Sequence, residues 1–269
     1  MVKANHMMPE REGGYRTHCI RCGTCCTKGG PTLHKEDAIL FAKGILKIFH
    51  VYTLRKGEIV RNIDGTLMVL EQEIIKTKGQ GEAWTCIFYD DDQKACNVYG
   101  HRPIECRALK CWDLRGFKEI RARPCLQRRD LIKPDDGIPK IMRAHEQRCA
   151  YETLWSAVER LRGADSGKAV KEILELLQYD HYMRHLLAEK LKMAPNAMDF
   201  FFGRPLTATI RMFGLCVKQE GDTFLLVPMD SLSSRHEQAS IEPRCGVVTE
   251  KRGKPYCYFE KETTSYPSS

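Results

Sequence analysis

The sequence predicts an α+β chain: a small irregular cysteine-rich domain, followed by an α-hairpin and a small antiparallel sheet. Three observations carry that expectation. Ten of the thirteen cysteines lie within the first 149 of 269 residues. Leu154, Val158 and Leu161, then Ile173, Leu177, Leu187 and Leu191, keep helical spacing on either side of a Gly163 to Gly167 break. Beyond Pro195 the chain alternates in short stretches separated by turn residues. With 42% apolar and 29% charged residues the composition is globular, neither disordered nor collagen-like. No run approaches the roughly 18 apolar residues needed to cross a bilayer. Met1 to Tyr15, with Lys3, Glu10, Arg11 and Glu12, has no apolar signal core. The expectation is a cytoplasmic protein without membrane contact.

After the cysteine-rich stretch at 19–26, Lys28-Gly29-Gly30-Pro31 predicts a turn, and Thr32 is a candidate cap for a helix running through Asp37 to Gly44. Ile45 to Tyr52, Ile59 to Val60 and Leu67 to Leu70 read as short strands around Lys56-Gly57 and Asp64-Gly65. Pro103 suits the first position of a helix through Cys106 and Leu109. Gly116 to Pro139, basic and punctuated by proline, reads as a long wrapping loop. The two helical stretches after 151 form the α-hairpin. Leu215 to Val217, Phe224 to Val227, Val247 to Thr249 and Tyr256 to Phe259 form the small sheet, with Glu220-Gly221-Asp222 and Arg252-Gly253-Lys254 as turns. Disorder is expected only at 1–12 and 263–269. The corresponding domains are 13–150, cysteine-rich, and 151–262, the helical hairpin plus β region.

Thiols in a reducing compartment stay thiols, so clustered cysteines point to metal. The strongest signal is Cys19-x-x-Cys22-Gly23-x-Cys25-Cys26, where the C-x-x-C spacing lets two thiolates converge and Gly23 permits a tight turn. In an extended stretch Cys25 and Cys26 would point opposite ways, toward two irons of a cluster or two centres. Cys86, Cys96 and Cys106 follow at nine-residue gaps. Cys106 falls in the first turn of the helix opened by Pro103, where the helix dipole favours thiolate. Arg102, Arg107 and Lys110 bring positive charge to a thiolate-rich, net anionic centre.

C-x-x-C-G-x-C-C, then C-x-F and C-x-V-Y-x-x-R-P-x-x-C-R, resembles the YkgJ-type cysteine-cluster proteins, a zinc- or iron-chelating domain also found in flagellin lysine N-methylases. The resemblance covers about Cys19 to Cys111 and includes Tyr99, Arg102, Pro103 and Arg107. It implies Cys19, Cys22, Cys25, Cys26, Cys86, Cys96 and Cys106 as metal ligands. Cys111 and Cys125 lie outside that pattern but flank the basic stretch, and are candidates for the same or a second centre. Seven to nine thiolates overfill one tetrahedral zinc and suit one or two iron-sulfur clusters, of the 4Fe-4S kind, at about four cysteines each. Zinc or iron ions are the alternative. Arg102 and Arg107 are candidate contacts to the cofactor.

Cys149, Cys216, Cys245 and Cys257 read as core. His181 and His185 read as a solvated or partly buried pair, and His18 and His34 as possible nitrogen ligands. Net charge is +8. Between Arg102 and Arg129 nine bases face three acids, a local +6. Without a stacking aromatic series this basic stretch is not read as a nucleic-acid site. No phosphate-binding glycine loop, nucleophile elbow or zinc-protease motif occurs. The leading expectation is a metal-cluster protein for electron transfer, iron handling or cluster-dependent maturation, working with a protein or redox partner. The rivals are a cluster-containing protein-modifying transferase related to the flagellin methylases and a zinc-stapled interaction module.

Overall fold

The computed structural model describes residues 19–61, 66–81, 84–134, 137–220 and 223–229. Its architecture is α+β, with helices and four two-stranded sheets among the described residues. The described residues of 1–45 and 77–125 make one compact unit, and those of 46–76 and 126–269 make a second. The termini expected to be disordered lie outside the described residues, as do His18, Cys245, Cys257 and the last two expected strands.

Thr32 does not cap the first helix. A 3₁₀ turn, Lys35–Asp37, precedes α1, Ala38–Ala42. Asp37 is pulled inward, accepting hydrogen bonds from the His34 N–H at 3.0 Å and the Ile104 N–H at 2.9 Å. Four short strands follow: β1, Val51–Leu54; β2, Ile59–Arg61; β3, Leu67–Val69; and β4, Ile74–Thr77. β2 and β3 pair antiparallel, Val60 opposite Met68, as the expected hairpin. β1 pairs with β4. Next, β5, Tyr89–Asp90, and β6, Ala95–Cys96, pair with Tyr89 opposite Cys96. Then come α2, Ile104–Ala108, and α3, Arg115–Arg121.

The stretch from Gly116 to Pro139 is not a wrapping loop. It holds most of α3, a 3₁₀ turn at Arg128–Asp130 and the start of α4, Ile138–Arg148. Arg128 explains the second turn. Its side chain is buried and donates to Glu73, to Glu146 Oε1 at 2.7 Å and to the Phe201 carbonyl at 2.5 Å. Arg115 pairs with Asp113 at 2.9 Å and Arg123 with Glu36 at 2.8 Å. Of these three bases only Arg128 is buried, and the pairs of Arg115 and Arg123 lie at the surface.

The α-hairpin is present as α5, Tyr151–Arg160, and α6, Ser166–Lys190. Two further helices were not expected: α7, Pro195–Phe202, and α8, Leu206–Thr209. Pro195 begins a helix here, as a residue that needs no N–H partner can. The tail closes with β7, Leu215–Glu220, and β8, Thr223–Pro228, paired antiparallel. Cys216 is buried in β7, as the core reading expects, and it is disulfide-bonded.

The second unit owns the larger core. Ala169, Val170, Ile173, Leu176 and Leu177 form one stripe of α6, packed with Leu154, Ala157 and Leu161 of α5 and with Leu206, Leu215, Phe224 and Leu226. Each fully buried Leu, Ile or Phe contributes about 1.5–3 kcal/mol. In the first unit the buried apolar residues among those described are Leu33, Leu40, Cys86, Phe88, Tyr89 and Ile104. A core that small calls for a staple. Among the described residues no helix is long and apolar enough to cross a membrane.

Candidate metal centre

Residues 24–28 turn rather than extend. Arg21 at φ +56° and Gly23 at φ +77° bend the chain, and Thr27 N–H donates to the Gly23 carbonyl at 2.9 Å. Arg21 N–H meets Cys19 Sγ at 3.3 Å, and Cys22 Sγ meets Thr24 Oγ1 at 3.4 Å. Cys25 and Cys26 therefore do not point apart: their sulfurs stand 4.0 Å from one another. Two sulfurs at the usual Zn–S length around one tetrahedral ion lie roughly 3.8 Å apart. This pair fits a single metal.

The second cysteine group meets the first through the backbone. Cys86 N–H donates to the Cys26 carbonyl at 2.8 Å, and Gln80 Nε2 donates to the Cys86 carbonyl at 3.1 Å. Gly30 lies so close to Thr77 that a Cβ would stand 1.7 Å from its hydroxyl. Cys96 is placed by its pairing with Tyr89. Cys106 rides on α2, whose first N–H is held by Asp37 because Pro103 offers no side-chain cap. Glu105, also buried, accepts from Thr32 N–H at 2.7 Å.

Electrostatics tie five of these sulfurs together. The Cys26 thiol is pushed up by its hydrogen bond with Cys25, by burial and by the charges of Cys25, Cys86 and Cys96. Burial pushes Cys96 up, with Cys86 and Cys25 adding to it. Burial also raises Cys106, with Cys86, Glu105, Cys25 and Cys96 contributing. The dipole argument for a Cys106 thiolate therefore fails: α2 is only five residues long and desolvation wins. Cys25 alone goes the other way, lowered to about 6 by the hydrogen bond from Cys26, with Arg102 assisting. Cys25 and Cys26 form the close sulfur pair of the site, while among the described residues no three of the seven sulfurs lie within 4.8 Å of one another. Cys86 forms a buried floor, Cys19, Cys26, Cys96 and Cys106 are half-buried, and Cys22 and Cys25 are exposed.

Cys111 is exposed after α2, and Cys125 is half-buried with its backbone bridged to His34. Neither is among the leading charges acting on Cys26, Cys96 or Cys106. Arg102 acts on Cys25 and Cys96. Arg107 is exposed, and its charge bears on the Asp37 carboxylate. His34 is buried toward Glu105, with Nε2 3.9 Å from Oε1. His181 and His185 meet edge to face, with their ring centroids 4.5 Å apart. Sequence reasoning missed Arg21, Asp37, Tyr89 and Glu105. Only Arg21, inside the cysteine motif, had a local signal.

A second group of metal-ligating side chains occurs in the larger unit. Donor atoms of His145, Cys149 and Asp180, all buried, lie within 4.8 Å of one another. The Asp180 oxygens are already engaged by His145 Nε2 at 2.7 Å, Arg184 Nε at 3.0 Å and Leu206 N–H at 2.9 Å. Arg55 and Arg184 both bring positive charge to His145. A cation would have to displace this network, so we read the trio as structural.

Residues 18–126 match the family model described as "CxxCxxCC: Putative zinc- or iron-chelating domain". The resemblance carried by the cysteine spacing is borne out over that segment. The chain is also similar to an uncharacterized protein of Methanocaldococcus jannaschii, 36% identical over 94 residues, which is 35% of this chain and 44% of that protein. The match thus spans less than half of the relative's length. No solved structure matches the chain.

Proposed function

We propose that the chain is a metal-cluster protein whose centre is held by Cys19, Cys22, Cys25, Cys26, Cys86, Cys96 and Cys106, with Arg102 as the nearby counter-charge. The carrying observation is geometric: the Cys25 and Cys26 sulfurs stand 4.0 Å apart, and the Cys86 N–H donates to the Cys26 carbonyl at 2.8 Å, joining the two cysteine groups from distant parts of the chain. Seven thiols exceed what one tetrahedral ion takes, which supports an iron-sulfur cluster. Such a cluster supplies one-electron chemistry, and the exposed rim at Cys22 and Cys25 supports exchange with a partner in electron transfer, iron handling or cluster-dependent maturation. Trp84, two residues before Cys86, is 68% exposed and supports a docking role beside the centre. A second reading, zinc or mononuclear iron, is favoured by the 4.0 Å Cys25 to Cys26 separation.

Purification without oxygen separates the two readings. An iron-sulfur protein is expected to be brown, with broad thiolate-to-iron absorption and several irons per chain. Cys26→Ser and Cys106→Ser should each lower metal content, while Cys149→Ala should keep it. A colourless product with about two zincs per chain would favour the second reading. Equal metal loss in Cys149→Ala and Cys106→Ser would move the centre elsewhere.

A further inference from the structure

Tyr99 carries no metal-ligating atom of the thiolate set, yet two guanidinium groups converge on its ring. Arg102 lies 3.8 Å and Arg21 4.6 Å from the ring centroid. Arg102 is fixed further by its Nε–H, which donates to the Tyr99 carbonyl at 3.0 Å. Arg21 reaches the ring from the Cys19 to Cys22 turn, with its backbone in the left-handed region at φ +56°. That conformation is unfavourable for a residue with a side chain, and it persists only where its surroundings hold it. The same bend brings the Arg21 N–H to Cys19 Sγ at 3.3 Å. Two like charges over one ring repel each other, so the stack gains from negative charge close by.

We infer that Tyr99 is a positioning residue for the metal centre: its ring, held by Arg21 and Arg102, draws the Cys19 to Cys22 turn toward the segment that carries Cys96 and Cys106. The inference rests on the metal-binding reading above. The rest of the cysteine turn has independent attachments, at the Cys86 N–H to Cys26 carbonyl bond and where Tyr89 meets Gly23. Loss of the stack should therefore free Cys19 and Cys22 without freeing Cys86.

Cobalt(II) serves as the probe, titrated into the metal-free full-length chain. Its thiolate charge-transfer bands report ligand number, and alkylation mapped by mass spectrometry reports which cysteines are held. Tyr99→Leu is expected to weaken cobalt binding about tenfold, the scale of losing two partly exposed cation–π contacts. In the cobalt-loaded variant Cys19 and Cys22 should alkylate several-fold faster, while Cys86 and Cys106 stay protected. Tyr99→Phe keeps the ring and should restore both readings. Arg21→Gly relaxes the backbone while removing the guanidinium, and should show the same selective exposure more weakly. It decides alone if Tyr99→Leu does not fold. Wild-type affinity and protection in Arg21→Gly, or uniform exposure of every cysteine in Tyr99→Leu with Arg21→Gly unchanged, would overturn the inference. A wild-type chain that takes up no cobalt would overturn the metal reading itself, and the inference with it.

Discussion

A methyl group at position 23 would stand 2.1 Å from the Tyr89 hydroxyl, and φ +77° is unfavourable there for any L side chain. Gly23→Ala should therefore destabilise the cysteine turn by about 1–3 kcal/mol and reduce metal retained against a chelator. Gly116→Ala, whose nearest atom would be 3.9 Å away, is the control and should retain metal as wild type does. Equal retention in the two variants would show that the turn tolerates the clash. The need for a tight turn at Gly23 was legible in Cys22-Gly23, because glycine's freedom is a property of the residue itself. Its contact with Tyr89 was not, because nothing local ties the two segments together. The directions of Cys25 and Cys26 were misread for a related reason. Alternation holds for extended backbone, and the positive φ angles at Arg21 and Gly23 remove that premise.

Among the helices, α4 and α6 are joined by the buried pair of His145 and Asp180. Burial pushes His145 down despite the opposing pull of Asp180. Burial alone would raise Asp180, but its hydrogen bond from His145 and the Arg184 charge hold it below the usual carboxylate range. An ion pair would raise the histidine, so the two shifts together fit a neutral imidazole donating its Nε2–H. An imidazole that is harder to protonate when folded stabilises the fold fully above its unfolded pKa of about 6.5 and loses that contribution as pH falls below it. Asp180, depressed in the fold, has the same sign lower down: its contribution is present above about 4 and is lost as pH falls further. Thermal melts followed by circular dichroism should show the melting temperature rising from about pH 5 to about pH 7. His145→Gln should flatten that rise, and an unchanged slope would count against a neutral buried His145. The α5–α6 hairpin was legible because its apolar stripe repeats at the helical period. Asp180 and Arg184 lie on the same buried face as that stripe, and periodicity alone treats such charged residues as solvent-facing. The basic stretch misled similarly: Arg128 looked exposed by composition, but its partners Glu73 and Glu146 come from elsewhere in the chain.

At the scale of the whole molecule the two units differ in what stabilises them. The second has a continuous apolar core across α5, α6 and β8, whereas the first buries few apolar side chains among its described residues. Where ligands come from distant segments, metal affinity is folding free energy. Removing metal with a chelator should therefore split unfolding into two steps. The first unit would lose structure early, while most helical signal, which comes from α4 to α8, should persist to a later transition. A single transition that the chelator leaves in place would mean that metal contributes little to the first unit. The sequence by itself determined the kind of chemistry, through the number and spacing of thiols, and the α-hairpin, through its period. Both are written in neighbouring residues. Only the tertiary structure decided that Cys25 and Cys26 share an edge, that the Cys86 N–H donates to the Cys26 carbonyl, that Arg21 joins Arg102 on Tyr99, and that the described residues of 46–76 are built with those of 126–269. Such pairings form between residues far apart in the chain, where burial and complementary charge, rather than any local pattern, select the partner.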